Sequence, residues 1–191
     1  MIWQDEGFLL SKNNYNENSI IIDVFTLEHG KYTGIVYGGS SRKNKKYFQI
    51  GNKILLNWRS KNLNRTGYFN VELIEPISPY FFDDKKKCAC ILSATSILKI
   101  LLPDRETNKK IYKSFDDMLI NLKSKDWILS YIEWELLLIK ELGFEDNLNY
   151  SKNDNIKKSL IYNKGLIMNN FINPNNLKFP FFRKVLEDYF N

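Results

Sequence analysis

Residues 19–37 read SIIIDVFTLEHGKYTGIVY, and this stretch decides the fold class of the chain. Two runs rich in β-branched residues, 19–25 and 31–37, flank turn residues at His29 and Gly30. Runs of this composition, bounded by turn residues, predict two β-strands joined by a short connection. Three further apolar or alternating runs predict three more strands, at residues 8–10, 53–59 and 68–74.

Five short strands with glycine-bearing turns, and no helical pattern among them, predict a small closed sheet. This is the size of an OB-type barrel, and a five-stranded SH3-like barrel is the alternative. Pro76 and Pro79 mark a boundary, after which apolar residues recur at helical spacing. We therefore expect an α+β chain, with a five-stranded OB-type β-barrel domain over residues 1–79 and an all-helical domain over residues 80–191.

The second half of the sequence carries signals for where helices begin and end. Asp83 is predicted to cap a first helix that ends near Pro103, and Thr107 to cap a second. Asp126 opens a third helix, which Gly143 is predicted to end in a left-handed conformation. Beyond an Asn-rich loop at residues 147–158, the remaining helices are expected at 156–172 and 180–190.

Composition excludes several classes of protein. The chain has 191 residues, of which 43% are hydrophobic and 15% aromatic, too many for a disordered chain. Two cysteines are too few for a disulfide scaffold. The acidic start, MIWQDEG, is unlike a signal peptide, and the most apolar stretch, residues 88–102, is too short and polar to span a bilayer. We expect a soluble cytoplasmic protein with no membrane anchor.

The position of the charges is more informative than the net charge of +6, because Lys and Asn are abundant throughout the chain. Residues 29–71 contain nine Lys and Arg residues, no Asp or Glu, and several aromatic residues. Cations that follow phosphates and rings that stack on bases are what single-strand binding requires. The alternative is that the aromatic residues fill the barrel and the lysines only face water.

On the nucleic-acid interpretation, the basic residues of this window contact phosphates and two aromatic residues stack on bases. The most informative segment is residues 38–46, GGSSRKNKK, which we interpret as a basic loop that closes on a nucleic-acid backbone. It lacks the GKS or GKT ending of a Walker motif, so it is not a nucleotide-binding loop of that type. The predicted phosphate contacts are Lys31, Arg42, Lys43, Lys45, Lys46, Arg59, Lys61 and Arg65, and the predicted stacking residues are Tyr37 and Trp58.

The sequence offers little for a metal site. Cys88 and Cys90 lie two positions apart on a predicted helix, so their side chains point about 200° away from each other. His29 is the only histidine, and it lies in the other domain. We therefore expect no zinc and no other cofactor.

Catalysis finds equally little support, so we expect a protein that is not an enzyme. Glu133 and Glu135 diverge on a helix and cannot act as a carboxylate pair. The adjacent acidic pairs suit caps and surface positions. A small Mg²⁺-dependent nuclease that uses them is the enzymatic alternative; its candidate residues are Asp83, Asp84, Asp116 and Asp117.

Four segments resemble one known family. Residues 5–39, DEGFLLSKNNYNENSIIIDVFTLEHGKYTGIVYGG, resemble the start of the bacterial RecO recombination-mediator proteins. In the same order along the chain, similar segments follow at 48–59 (FQIGNKILLNWR), 102–112 (LPDRETNKKIY) and 127–144 (WILSYIEWELLLIKELGF). RecO proteins have an N-terminal OB domain and a helical domain, in agreement with the architecture expected above.

The resemblance implies a role in recombinational DNA repair. Proteins of this family bind single- and double-stranded DNA, anneal complementary strands and engage single-stranded-DNA-binding protein. With RecR they help RecA to displace that protein. The resemblance places Arg42 and Lys43, after the turn at Gly38 and Gly39, in the DNA-binding face. The rival from another class is an RNA- or ribosome-associated OB protein.

We further expect basic residues of the helical domain to receive the acidic tail of single-stranded-DNA-binding protein; the candidates are Lys99, Lys109, Lys110 and Lys113. The chain departs from the resemblance in one place. Many RecO proteins carry a cysteine-bearing segment, zinc-binding in some, soon after the Gly–Phe matched by Gly143 and Phe144. Here a short cysteine-free stretch leads to residues 166–186, which resemble the closing helices of the family. We interpret the loss as internal and expect any DNA or RecR contact of that segment to be affected.

Overall fold

The computed structural model of the chain describes residues 2–41, 44, 47–61, 66–144 and 155–190. The chain divides into two compact units, Met1–Lys109 and Lys110–Asn191. We call them the barrel unit and the helical unit. This division into compact units falls at residue 109, and the predicted domain ranges 1–79 and 80–191 stay a prediction.

The barrel unit contains five strands, β1 (Ile2–Asn16), β2 (Ser19–Thr26), β3 (Gly30–Tyr37), β4 (Lys53–Arg59) and β5 (Gly67–Glu75). They close in the order β1-β2-β3-β5-β4, with β4 returning to β1. The β3–β5 pair is parallel and the other four pairs are antiparallel. The step from β3 to β5 gives the Greek-key barrel of the OB fold, so the predicted fold class is confirmed.

Strands β2 to β5 begin and end within one residue of the predicted runs, but the first strand was predicted far too short. It covers Ile2–Asn16 rather than residues 8–10. Its first part, residues 2–8, pairs with β4, and its later part, residues 7–16, pairs with β2. Many of its residues are polar or exposed, so the apolar pattern marks only the buried middle of the strand.

Trp58 is a large side chain in the barrel interior, and two glycines make room for it. Gly34 of β3 and Gly67 of β5 are directly paired across the short β3–β5 seam. A Cβ atom at either position would collide with the Trp58 ring. The seam therefore needs glycine at both positions because the backbone lies against the indole.

A 3₁₀ turn (Ser78–Phe81) leads into α1 (Lys85–Leu101). Asp84, rather than the predicted Asp83, caps this helix, and its carboxylate accepts the backbone N–H groups of Lys86 and Lys87 at 3.1 Å. The helix ends before Pro103, as predicted.

Polar contacts hold α1 on the barrel. The Lys99 ammonium lies 2.8 Å from Oδ2 of Asp23 and donates to Oγ of Ser11 at 2.9 Å. Asp23 also accepts from Ser11 at 2.5 Å and from Thr33 at 2.6 Å. These contacts join the C-terminal part of α1 to β1, β2 and β3, which explains why α1 belongs to the barrel unit.

The remaining helices are α2 (Lys109–Asn121), α3 (Trp127–Glu141), α4 (Ile156–Ile167), which continues through a π turn (Met168–Ile172), and α5 (Phe181–Asp188). Gly143 has a φ of 95°, so the predicted left-handed end of α3 is confirmed. The predicted Asn-rich loop lies outside the described residues over 147–154, and Asn155 caps α4 by accepting Lys157 N–H at 2.9 Å. Within the described ranges, every helix is too short or too polar to cross a membrane.

A buried ion pair lies at the centre of the helical unit. Arg183 and Glu135 are both 0% exposed, with Nε and Oε1 2.5 Å apart. Burial acts to lower the pKa of Arg183, but the neighbouring carboxylates outweigh it and raise that pKa. Further bonds to the pair come from Glu187, the Leu160 carbonyl, the Tyr131 hydroxyl and the Asn163 amide. This network was not predicted from the sequence. Glu133 was expected to diverge from Glu135, and it lies on the exposed side of α3.

Candidate nucleic-acid interface

The ten predicted contact residues fall into two groups. Five of them, Arg42, Lys43, Lys45, Lys46 and Arg65, lie outside the described residues. The structure places the other five on strands β3 and β4 and in the segment after β4; they are Lys31, Tyr37, Trp58, Arg59 and Lys61.

Trp58 belongs to the barrel core. It is 3% exposed, and its ring lies 4.7 Å from that of Phe69. Ile54, Leu56 and Trp58 occupy every second position of β4 and share its inward face. That alternation was readable in the sequence and assigns Trp58 to the interior. A buried ring offers no face to a base, so Trp58 is left out of the interface.

Lys31 is compensated by a carboxylate from a distant part of the sequence. Its ammonium lies 3.2 Å from Oδ1 of Asp104 and donates to the Lys99 carbonyl at 2.9 Å. Asp104 follows α1 and forms a parallel bridge with Lys31 at the edge of β3. Although residues 29–71 contain no Asp or Glu, the charge of Lys31 is therefore compensated in the folded chain.

Arg59 and Lys61 are the exposed cations of the described interface. Arg59 ends β4 and points outward because its neighbour Trp58 points inward. Lys61 follows two residues later and is also exposed. Among the described residues, no carboxylate lies within ion-pair distance of either side chain. Both charges face solvent and can accept an anion.

Arg59 sits in a row of outward-facing residues that crosses all five strands. Cross-strand pairs define the row as Ile2, Arg59, Tyr68, Ile35 and Ile21. The next row toward the start of β4 is uncharged and contains Gln4, Asn57 and Asn70. In this direction along the sheet, the first carboxylates are one row further, at Glu6 and Glu72 opposite Leu55. Since Leu55 is four residues from Arg59, these acids are roughly 13 Å away along the strand.

Two tyrosine rings lie close together next to the Arg59 strand, Tyr68 opposite Arg59 and Tyr37 beside Tyr68. Tyr37, at the end of β3, is 66% exposed, and Tyr68, opposite Arg59 on β5, is 39% exposed. Their ring centroids are 6.0 Å apart, and the ring planes are tilted by 57°. Tyr68 was absent from the predicted set. The signal for it was present, because Phe69, Val71 and Leu73 alternate inward along β5 and leave Tyr68 on the outside.

The connection that follows Tyr37 starts with tight turns. Gly38 has a φ of 71° and accepts a hydrogen bond from the Ser41 N–H at 3.2 Å. Asn44 N–H then donates to the Ser41 carbonyl at 3.0 Å, and its side-chain amide donates to the Gly38 carbonyl at 3.0 Å. The positive φ explains a glycine at position 38. In sequence, this connection carries the four basic residues at 42, 43, 45 and 46.

The lysines expected to receive an acidic tail are divided between the two units. Lys99 and Lys109 belong to the barrel unit, whereas Lys110 and Lys113 belong to the helical unit. Three of the four are paired with carboxylates, Lys99 with Asp23, Lys109 with Glu28 at 2.7 Å and Lys110 with Glu141 at 3.3 Å. Lys113 is exposed.

The candidate carboxylates of a nuclease are divided in the same way. Asp83 and Asp84 lie in the barrel unit, where Asp84 caps α1, and Asp116 and Asp117 lie in the helical unit. No cluster of three or more His, Cys, Asp or Glu side chains suited to a metal ion occurs in the described part of the chain.

The two cysteines differ in exposure. Cys90 is buried, and Cys88 is half-buried, with its thiol donating to the Phe81 carbonyl at 3.0 Å. Burial raises the pKa of the Cys88 thiol, and the charges of Asp84 and Asp83 raise it further. The thiol form is therefore favoured over the reactive thiolate.

Comparison with known proteins gives matches over most of the chain. The family model described as "Recombination protein O N terminal" matches residues 1–79, and that described as "Recombination protein O C terminal" matches residues 83–153. Three curated relatives named "DNA repair protein RecO" are each 32% identical to this chain. They come from Roseobacter denitrificans, Cereibacter sphaeroides and Ehrlichia chaffeensis, and the matches cover 85%, 74% and 85% of this chain. The same matches cover 68%, 60% and 66% of the relatives' own lengths.

Proposed function

This chain belongs to the RecO family, and from this premise we propose that it acts in DNA repair as a DNA-binding protein that performs no chemistry on DNA. The curated relatives are DNA repair proteins by name. The proposal extends that role to a defined surface of the barrel unit, the outward row through Arg59 with the segment that follows β4.

The observation that carries the proposal is the exposure of Arg59 and Lys61, neither of which has a described carboxylate within ion-pair distance. A cation that contacts a phosphate releases a condensed counterion, which favours binding independently of sequence. Further basic residues occur in the sequence of the barrel unit at positions 42, 43, 45, 46 and 65. Such a surface suits both single- and double-stranded DNA, since both present phosphates.

We include strand annealing in the proposed function. Complementary strands repel each other through their phosphates, and cations that neutralise both backbones lower that repulsion. Charge reversal at Arg59 and Lys61 is therefore expected to slow pairing of complementary oligonucleotides as well as to weaken binding. Unchanged pairing rates in this variant would contradict the annealing part of the proposal.

We also propose the family's partners for this chain, namely RecR, single-stranded-DNA-binding protein and, through them, RecA. The family relation supports these partners. Three of the predicted lysines are already paired with carboxylates, so they offer no preformed site for an acidic tail. Titration with a tail peptide of single-stranded-DNA-binding protein tests the contact directly. Annealing of DNA precoated with that protein should proceed with this chain and stall without it.

The test of DNA binding compares two double variants by fluorescence anisotropy with labelled single strands, duplexes and RNA of one sequence. Arg59→Glu with Lys61→Glu should weaken binding strongly. Lys85→Glu with Lys86→Glu makes the same change in net charge at exposed positions of α1 and should have little effect. Equal loss in both variants would mean that only net charge matters. Tighter binding of RNA than DNA would favour the RNA-associated alternative, and cleavage of labelled DNA in Mg²⁺ would contradict a non-catalytic role.

A further inference from the structure

We propose that Tyr37 and Tyr68 form a two-ring platform that stacks on unpaired bases and lets the barrel distinguish single strands from duplex DNA. This inference rests on the proposed DNA-binding function and adds to it a selectivity that charge alone does not provide. A phosphate-binding surface made only of cations accepts either form of DNA, because both forms carry the same phosphates.

The first reason is the exposure of the two rings. Large aromatic side chains are usually well buried, yet 66% of Tyr37 and 39% of Tyr68 face solvent. They stand on adjacent strands, with their centroids 6.0 Å apart, on the outside of the barrel. The neighbouring aromatic residues Trp58 and Phe69 point inward and fill the core. The barrel therefore does not need these two rings for its packing.

The second reason is the position of the cation. Arg59 is the direct cross-strand neighbour of Tyr68, so side chains from this pair lie side by side on the same face. A base on the Tyr68 ring therefore has a guanidinium nearby for the phosphate attached to it. Combined stacking and phosphate contact is the arrangement that single-strand-binding surfaces use.

The third reason is the angle between the rings. Successive bases of a duplex are nearly parallel and stacked on each other, which leaves no face for a protein ring to cover. The planes of Tyr37 and Tyr68 are tilted by 57°, so two bases that each cover one ring cannot also stack on each other. The platform therefore fits bases that are already unstacked, and a duplex would first have to open at a cost in free energy.

The experiment measures the dissociation constants of the full chain for four DNA probes of one length. The probes are a single strand, the same single strand with all bases removed from its central residues, the matched duplex and a duplex with a single-stranded gap. The variants are Tyr37→Ala, Tyr68→Ala and both together, with Tyr37→Phe and Tyr68→Phe to retain the ring. Tyr80→Ala is the matched control, because Tyr80 is also 66% exposed and lies in the 3₁₀ turn before α1.

Each alanine variant should bind the single strand at least about fivefold more weakly, the lower end for loss of one stacked base. Duplex binding should change by less than about twofold, and the phenylalanine variants should behave like the wild type. The wild type should prefer the intact single strand to the abasic one, and the double alanine variant should lose this preference. All exchanged positions are exposed, so the variants are expected to fold, which circular dichroism checks.

Two results would overturn the platform while leaving the proposed function intact. One is equal weakening of single-strand and duplex binding in the alanine variants, and the other is an unchanged preference for bases over abasic sites. A wild-type chain that binds none of the four probes would instead refute the proposed function, and the platform with it.

Discussion

Two arginines in this protein show how opposite environments give one side chain two different tasks. Arg183 of the helical unit is 0% exposed and is held by Glu135, Glu187 and a backbone carbonyl. Arg59 of the barrel unit is exposed, with no carboxylate among the described residues in ion-pair range. The first charge has its counterions built into the fold, whereas the second has to find its counterion in solution.

The difference teaches that the number of cations says little about binding unless their partners are known. A buried arginine must be paired, because an unpaired buried charge is strongly unfavourable. An exposed arginine costs little to leave unpaired, since water solvates it. Lys31 and Lys99 of the barrel unit resemble Arg183 in having carboxylate partners, whereas Arg59 and Lys61 have none among the described residues.

The largest effect is expected for Glu135→Gln. This substitution removes the carboxylate that faces Arg183 and leaves the guanidinium buried without its main counterion. The free energy of unfolding should fall by about 3–5 kcal/mol, measured by urea denaturation. Glu133→Gln is the matched control on the same helix, because Glu133 is exposed, and it should change stability by less than about 0.5 kcal/mol. Similar effects of the two variants would show that the buried pair is not a structural requirement.

The next largest effect is expected for the exposed pair. Arg59→Glu with Lys61→Glu should weaken single-strand binding roughly 50-fold at about 50 mM salt, through loss of two phosphate contacts. The free energy of unfolding should stay within about 0.5 kcal/mol of the wild-type value, because neither side chain has a partner to lose among the described residues. A variant that unfolds more easily but binds normally would reverse the roles that we assign to the two regions.

Asp23 provides an intermediate case between the two extremes, because its ion pair with Lys99 is only partly buried. Burial acts to raise the pKa of Asp23, but hydrogen bonds from Lys99, Ser11 and Thr33 outweigh it and lower that pKa. The charged form therefore stabilises the fold above the ordinary carboxyl pKa of about 4. This stability is lost as the pH falls through the lowered pKa of the folded state.

Asp23→Asn should accordingly reduce stability by about 1–2 kcal/mol at neutral pH, as expected for hydrogen bonds to a charged group. Thermal unfolding between about pH 2 and pH 7 should show a smaller loss in acid for this variant than for the wild type. Parallel pH curves for the two proteins would mean that Asp23 does not contribute in this way.

The smallest effect is expected for Lys31→Gln. Lys31 is one of the predicted phosphate contacts, but Asp104 already compensates its charge. Its removal should change the dissociation constant for DNA by less than about threefold, as measured by anisotropy, because no uncompensated cation is lost. A loss as large as that of the Arg59 and Lys61 variant would show that DNA displaces Asp104 from Lys31.

The sequence predicts local structure well where the spacing of apolar residues agrees with the positions of turn and cap residues. Strand β4 has the predicted bounds, and Gly143 follows the end of α3 in the predicted left-handed conformation. Long-range pairing is different, because no local pattern specifies that β1 pairs with β4 and thereby begins at Ile2. The Arg183–Glu135 pair was invisible for the same reason, since its partners are 48 residues apart.

The interface was predictable in part. Acid-free composition singled out Arg59 and Lys61, which the structure leaves exposed, but also Lys31, whose partner Asp104 lies outside the window. The choice of aromatic residues failed at Trp58 because total aromatic content does not say which residues face outward. Strand alternation does say so, and it assigns Trp58 to the core and Tyr68 to the surface.

The most direct test of the central claim, that uncompensated cations of the barrel unit bind the DNA backbone, is the salt dependence of single-strand binding by the full chain. If about six cations engage phosphates, a plot of log K against log[salt] should have a slope near −4. The Arg59 and Lys61 variant should lower the steepness by about 1.4, the share of two contacts. A nearly flat plot for the wild-type chain, or equal slopes for the two proteins, would contradict the claim.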